Sequence, residues 1–232
     1  MKILFISDLH GKTVWRDAPL SRFDEIVFLG DYVDSPSVDD DTIYDNLYAI
    51  IQLKQRKPDT IRLLLGNHDV QYLHYPNYIC TGFNATAQPQ LTRLFRRYDS
   101  LFNIAHQRGA YLFSHAGVTT AWFSRLLVQT SHLNMLLPRH DVAQRLNLVH
   151  IQPQRRSILF DVGPARGGCA PGGGPVWADQ QETSADFLPG FHQVVAHTPV
   201  SSFTTVGDES GSITYTDVLR TQTEFYELTI PA

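Results

Sequence analysis

Cysteine is scarce in this chain: Cys80 and Cys169 are the only two among 232 residues. A small secreted domain held by disulfides carries a denser pattern. Both therefore read as free thiols in a reducing cytosol, and they are too few and too far apart for a zinc ribbon. Long apolar runs are absent as well. No stretch reaches the ~20 residues needed to cross a bilayer. The run after Met1 is too short for a signal peptide and leads straight into Asp8. Charge is sparse: charged residues make up 18% and the net charge is -4. That argues against broad electrostatic capture of nucleic acid or an anionic membrane. Arg93, Arg96 and Arg97 form a local basic cluster that reads as a solvated helix face.

A hydrophobic content of 43% is enough for a real core, and the length suits a single domain spanning 1–232. Ile3 to Ile6, Glu25 to Leu29 and Thr60 to Leu65 are short apolar runs, the pattern of strands buried on both faces. A helix is expected over about Thr42 to Lys54, where Ile43, Leu47, Ile50 and Ile51 share a face and Asp41 or Thr42 can cap the start. This is the βαβ rhythm of an α/β fold. Further on, helix is expected from about Pro89 to Gln107, from Thr119 to Val128 and from Asp141 to Val149. Strands are expected at Ala110 to Ser114 and Gln193 to Ala196, and alternation with a Gly-Asp-Glu-Ser-Gly-Ser turn marks the tail from Phe203 to Ile230. Between Gly163 and Pro175 glycine and proline dominate, which predicts a mobile loop outside the core.

Five segments carry metal-binding side chains where a strand runs into a loop. They are Asp8-Leu9-His10, Gly30-Asp31-Tyr32-Val33-Asp34, Gly66-Asn67-His68-Asp69, Ser114-His115-Ala116-Gly117 and Ala196-His197-Thr198-Pro199. Open α/β folds place their ligands at such strand ends. A carboxylate after a buried strand is costly to leave bare, and a divalent cation removes that cost. Asp8 and His10 sit two apart, so in an extended segment both side chains point the same way. Asp31 has two carboxylate oxygens and can bridge two ions ~3.5–4 Å apart. Asp34 reads as an orienter of a neighbouring group or as a loop cap. Asn67 offers a hard neutral oxygen. His68 faces the open side, and Asp69 can accept a hydrogen bond from it and fix its tautomer. His115 and His197 fit ligands of a second metal. His74, His106, His132, His140, His150 and His192 lack such a context, as do Met135, Trp15 and Trp122.

Together these segments resemble the calcineurin-like metallophosphoesterase superfamily, over residues 8 to 199. The forms Asp-Leu-His-Gly, Gly-Asp-Tyr-Val-Asp and Ala-His-Thr-Pro look closest to the branch of serine/threonine phosphoprotein phosphatases and diadenosine tetraphosphatases. The resemblance implies an α/β (α+β) fold: two mixed β-sheets packed as a sandwich and flanked by helices. It implies one metal held by Asp8, His10 and Asp31, a second held by Asp31, Asn67, His115 and His197, and His68 as the catalytic histidine. Three departures stand out. Pro199 occupies the place of a second histidine found in many superfamily nucleases, so a water is expected there, as in the phosphatase branch. Ser35-Pro36 stands where the branch has Arg-Gly, so the phosphate-clamping arginine is missing. Ala196 replaces the usual glycine. Arg166 is the candidate replacement clamp, with a solvated loop arginine as the other reading.

The expected enzyme is a cytoplasmic, metal-dependent phosphoric ester hydrolase acting on a phosphoester substrate, with no membrane and no clear nucleic-acid partner. Two divalent ions, with manganese favoured and iron or zinc admitted by the mixed O/N ligands, would generate hydroxide near neutral pH. His68 would protonate the leaving oxygen, assisted by Asp69. A phosphomonoesterase is the first reading. A dinucleoside polyphosphate or cyclic nucleotide hydrolase is the second, with Tyr32, Tyr72, Tyr75 and Phe83 near enough to stack a base. A metal-binding scaffold without catalysis is the third.

Overall fold

A computed structural model describes residues 1–131, 137, 138 and 140–231. His132 and Met135 lie outside the described residues. The chain divides into two compact units, one made of Met1–Asn103 with Val218–Ala232 and the other of Ile104–Asp217.

The first unit is built on a mixed sheet of β1 (Lys2–Ile6), β2 (Glu25–Phe28), β3 (Ile61–Leu64), β4 (Phe102–Asn103) and β10 (Tyr226–Thr229), in the order β10-β1-β2-β3-β4. Strands β1 to β4 run parallel, and β10 joins the edge of β1 antiparallel. Ile3, Leu4, Ile6, Ile26, Val27 and Leu63 are all fully buried, as continuous apolar strands require. Glu25 is buried too, and Arg62 Nε meets its carboxylate at 2.8 Å. Helix α1 (Asp40–Arg56) is one turn longer than the apolar face alone suggests. Its cap is Asp39, whose carboxylate accepts from Thr42 N at 2.9 Å, ahead of the two candidates at 41 and 42. Helices α2 (Asn67–Leu73) and α3 (Gln88–Arg97) follow.

The helix expected to run to Gln107 stops at Arg97. A single 3-10 turn at Asp99–Leu101 turns the chain, and Phe102 then pairs with Leu63. Leu65 N donates to Asn103 O at 2.9 Å. The apolar spacing of Leu101 and Phe102 fits a helix, but the open edge of β3 offers Phe102 burial together with ladder hydrogen bonds. Tertiary pairing therefore overrides the local period. Trp15 and Trp122 are buried packing residues, each with its indole N–H bonded, to Asn46 Oδ1 and to Ile158 O.

The second unit holds β5 (Ala105–Arg108), β6 (Tyr111–Ser114), β7 (His192–Val195), β8 (Thr204–Asp208) and β9 (Gly211–Tyr215), in the order β5-β6-β7-β9-β8. Strands β6, β7 and β9 are parallel, with β5 and β8 antiparallel at the edges. Its helices include α4 (Thr120–Gln129), α5 (Val142–His150) and α6 (Gln180–Ala185). Thr119 Oγ1 caps α4, and an Asp179–Glu182 capping box starts α6.

The glycine-rich segment 163–175 is packed, contrary to the expectation of a mobile loop. Gly174 N donates to Asp161 O at 2.9 Å, Gly173 N to the Glu182 carboxylate at 3.0 Å, and Ala116 N to Pro175 O at 2.7 Å. A side chain at Gly173 would press on the Ala178 backbone, and one at Gly168 on the Val162 carbonyl. Glycine serves close backbone approach here, not flexibility.

Glycine also decides the strand ends of the first unit. Gly30 has φ +103°, and a Cβ there would lie 2.8 Å from Gly66 Cα. The β2 and β3 loops thus touch backbone to backbone. Gly30→Ala is expected to destabilise the protein by about 2–4 kcal/mol, from left-handed strain and overpacking together. Urea unfolding of the variant beside the parent checks this.

Candidate metal centre

Parallel pairing brings the ends of β1, β2 and β3 to one edge of the first sheet, and the first three motifs lie there. Asp8 and Asp31 are 4% and 2% exposed, which would be costly for bare carboxylates. His10 Nε2 lies 4.0 Å from Asp8 Oδ2 and 3.9 Å from Asp31 Oδ2. One ligand atom from each of the three falls within 4.8 Å of the others, close enough to share an ion. His10 Nδ1 bonds Val33 O at 2.9 Å, which orients the ring and leaves Nε2 facing the carboxylates. The donor set, two buried carboxylates and an imidazole, suits a divalent cation.

The backbone bends to make this grouping. His10, Asp31 and Asp34 have φ of 45°, 54° and 64°, in the left-handed region that non-glycine residues rarely occupy. His10 N donates to Asp31 O at 2.9 Å and so fixes the first loop on the second.

The third motif opens α2. Asn67 is buried in its first turn, and its amide reaches Cys80 Sγ at 3.7 Å. His68 N donates to Asp31 Oδ1 at 3.0 Å, and the His68 ring stands edge-on to His10, with centroids 5.1 Å apart. The carboxylate on His68 is Asp34, not Asp69: Nδ1 bonds Asp34 Oδ2 at 2.8 Å. Asp69 is fully buried and points the other way. It accepts from Gly66 N at 2.8 Å, Asp31 N at 2.7 Å and Tyr32 N at 3.0 Å. At the third helical position it caps α2, and an N-terminal cap aims along the helix at backbone N–H groups, away from a neighbouring ring. The three-residue spacing from Asp31 to Asp34 was the available sign of an orienter, and nothing in the sequence showed which histidine it served.

In the second unit, His115 follows β6 directly and His197 lies two residues past β7, at the same edge of that sheet. His115 Nε2 and His197 Nδ1 are 3.1 Å apart, and both residues are buried. Ala196 N donates to His115 O at 2.8 Å, and His197 has φ 63°. Trp177, which carried no signal in the sequence, sets its ring edge-on to His197 at 5.7 Å. Arg166 is anchored and is not a freely solvated loop arginine. Its Nε meets Asp179 Oδ2 at 2.8 Å, and Nη2 donates to Thr198 Oγ1 at 2.5 Å, beside His197.

A family model described as calcineurin-like phosphoesterase matches residues 1–201, most of the chain. The chain belongs to the calcineurin-like phosphoesterase family. It is a metallophosphoesterase, an enzyme that hydrolyses phosphoric esters with divalent metal ions. Comparison with curated proteins finds no match. Among solved structures, it is similar to a cold-active protein-tyrosine phosphatase of a psychrophilic Shewanella, with 19% identity, a TM-score of 0.55, and 91% of this chain aligned to 70% of that one. A second structure described as a cold-active protein tyrosine phosphatase has 17% identity and a TM-score of 0.57, over 91% of this chain and 68% of that one. These likenesses establish the shared metallophosphoesterase fold of two mixed sheets with helices.

Tyr32 and Tyr72 are buried, and Tyr75 stacks on Phe83 with ring centroids 5.7 Å apart. The basic cluster of α3 is exposed, and Arg96 also donates to Leu73 O and Tyr75 O. No helix among the described residues is long and apolar enough to cross a membrane.

Burial opposes the charged form of His68. The charge of Asp31, the Asp34 hydrogen bond and the charges of Asp34 and Asp69 outweigh it, and they push its pKa from 6.5 up to about 9. The folded, metal-free chain therefore holds this proton more tightly than the unfolded chain. The stabilisation is complete below about 6.5 and is lost as pH rises through about 9. An NMR titration of chelated protein should give His68 a midpoint near 9, and Asp34→Asn should move it down toward 6.5. An unmoved midpoint would remove Asp34 from this role.

Proposed function

We propose that the protein is a phosphomonoesterase of the phosphatase-like branch, with residues 1–232 acting as one metallophosphoesterase domain. The observation that carries this reading is the grouping of Asp8, His10 and Asp31 beside His68, a histidine already held by its own carboxylate. In this reading Asp8, His10 and Asp31 hold one divalent ion. Asp31, with Asn67, His115 and His197, would hold a second. When bound, such a pair acidifies water and neutralises charge on the phosphate oxygens.

The chain's own groups do the rest. Asp34 binds Nδ1 of His68, so Nε2 is left to carry the proton given to the departing oxygen. Asp69 fixes the loop that carries Asp31, and its part in the reaction is indirect. Arg166, steadied by Asp179, offers the planar donor fork that suits phosphate, in place of the arginine absent at Ser35. Pro199 would supply no ligand where many superfamily nucleases have a second histidine. The burial of Tyr32 and Tyr72 weighs against a base-stacking pocket, and so favours monoesters over dinucleoside polyphosphates and cyclic nucleotides. Manganese is the expected activator, with iron or zinc compatible with the same ligands. Cys80 and Cys169 are both free thiols, which suits the cytosol.

The test is a manganese-supplemented panel of p-nitrophenyl phosphate, its bis-ester, phosphotyrosine and phosphoserine peptides, and diadenosine tetraphosphate. Monoesters are expected to be cleaved fastest. Preference for the dinucleotide would transfer the protein to the nucleotide hydrolases. Bound metal with no ester cleaved would make it a scaffold. His68→Ala should retain metal and lose about 10²–10⁴-fold in kcat on the phosphoserine peptide, whose alkoxide leaving group needs a proton. In the same assay Arg166→Ala should raise KM about tenfold, the scale of one charge-assisted hydrogen bond. An unchanged KM would return Arg166 to a structural role.

A further inference from the structure

We propose that Gln71 and Tyr72 are positioning residues for proton transfer by His68, and that they tie the segment Cys80–Asn84 to it. The inference rests on the reading of His68 as the general acid. Gln71 and Tyr72 lie three and four residues past His68 on α2, and so on the same side of that helix. Both are fully buried.

Their polar atoms converge on one carboxylate. Asp34 Oδ2 accepts from His68 Nδ1 and from the Gln71 amide, and Asp34 Oδ1 accepts from the Tyr72 hydroxyl. Asp34 sits on a loop in a left-handed conformation, with φ 64°. A single bond to a histidine fixes one direction of a carboxylate and leaves its plane free to turn. Two donors from a helix remove that freedom. Burial and the Asp34 bond both raise the Tyr72 pKa, so its hydroxyl keeps its proton and remains a donor.

The same two side chains reach outward. Gln71 Oε1 accepts from Cys80 N at 3.0 Å, and the Tyr72 hydroxyl accepts from Asn84 N at 2.9 Å. Phe83 stacks on the Tyr72 ring at 5.5 Å. Between these anchors Gly82, with φ +91°, passes so near the imidazole that a Cβ would lie 3.2 Å from His68 Cε1. The segment thus forms a wall beside the proton donor, and it is held by the groups that hold the donor's partner.

The experiment compares Tyr72→Phe, Gln71→Met and His68→Ala on p-nitrophenyl phosphate, whose leaving group needs little protonation, and on phenyl phosphate, whose leaving group needs more. In each positioning variant kcat on phenyl phosphate should fall about tenfold, with less than about a twofold change on p-nitrophenyl phosphate. KM and manganese content should stay as in the parent. In chelated full-length protein, the His68 Nδ1–H proton resonance should be lost in both variants. Equal losses on the two esters, or an intact resonance, would overturn the inference. Tyr72→Phe keeps the ring and its stacking, but if it fails to fold, Gln71→Met is read alone. If His68→Ala also shows no dependence on the leaving group, the general-acid reading itself fails, and the positioning role falls with it.

Discussion

The edge of the first sheet depends on one buried carboxylate, whose oxygens hold backbone N–H groups of two loops. Asp69 accepts the backbone N–H groups of Gly66, Asp31 and Tyr32, and so joins the loop after β2 to the loop after β3. Hydrogen bonds to an ionised group contribute about 1.5–3 kcal/mol each when one partner is removed. Three of them on one carboxylate make a strong junction. Beside it, Gly30 and Gly66 let the two backbones meet where any side chain would intervene. With the loops fixed, Asp31 has one available direction, and His68 N completes the fit by donating to its Oδ1.

The second unit reaches a similar result by simpler means. His115 and His197 come from neighbouring parallel strands, so the ladder itself sets their spacing, and a single backbone bond from Ala196 N to His115 O carries the register past the strand end. The glycine-rich segment contributes through Arg166 and Trp177, one ion-paired to Asp179 and the other against His197. Its order comes from backbone packing, which composition does not reveal.

Much of this was legible in the residues. Apolar runs ending in Asp, Asn or His located β1, β2, β3, β6 and β7 and the ligands after them, because strands buried on both faces leave a plain sequence trace. Where the reading failed, the deciding contact was distant along the chain. The strand at Phe102 depends on the open edge of β3, and helical spacing alone could not foresee it. Adjacency in the sequence points to Asp69 as the partner of His68. In space, an N-terminal capping position turned Asp69 toward backbone, and a residue 34 positions upstream took its place. The anchoring of Arg166 was equally hidden, since Asp179 and Thr198 are remote from it in sequence.

His10, Asp31, Asp34 and His197 share one further property: each holds a positive φ that L-amino acids adopt at a cost of about 1–3 kcal/mol. At all four positions glycine would relax the main chain while deleting the functional group. The fold is therefore less stable than its own topology permits, and the deficit is concentrated where cations and esters would be handled.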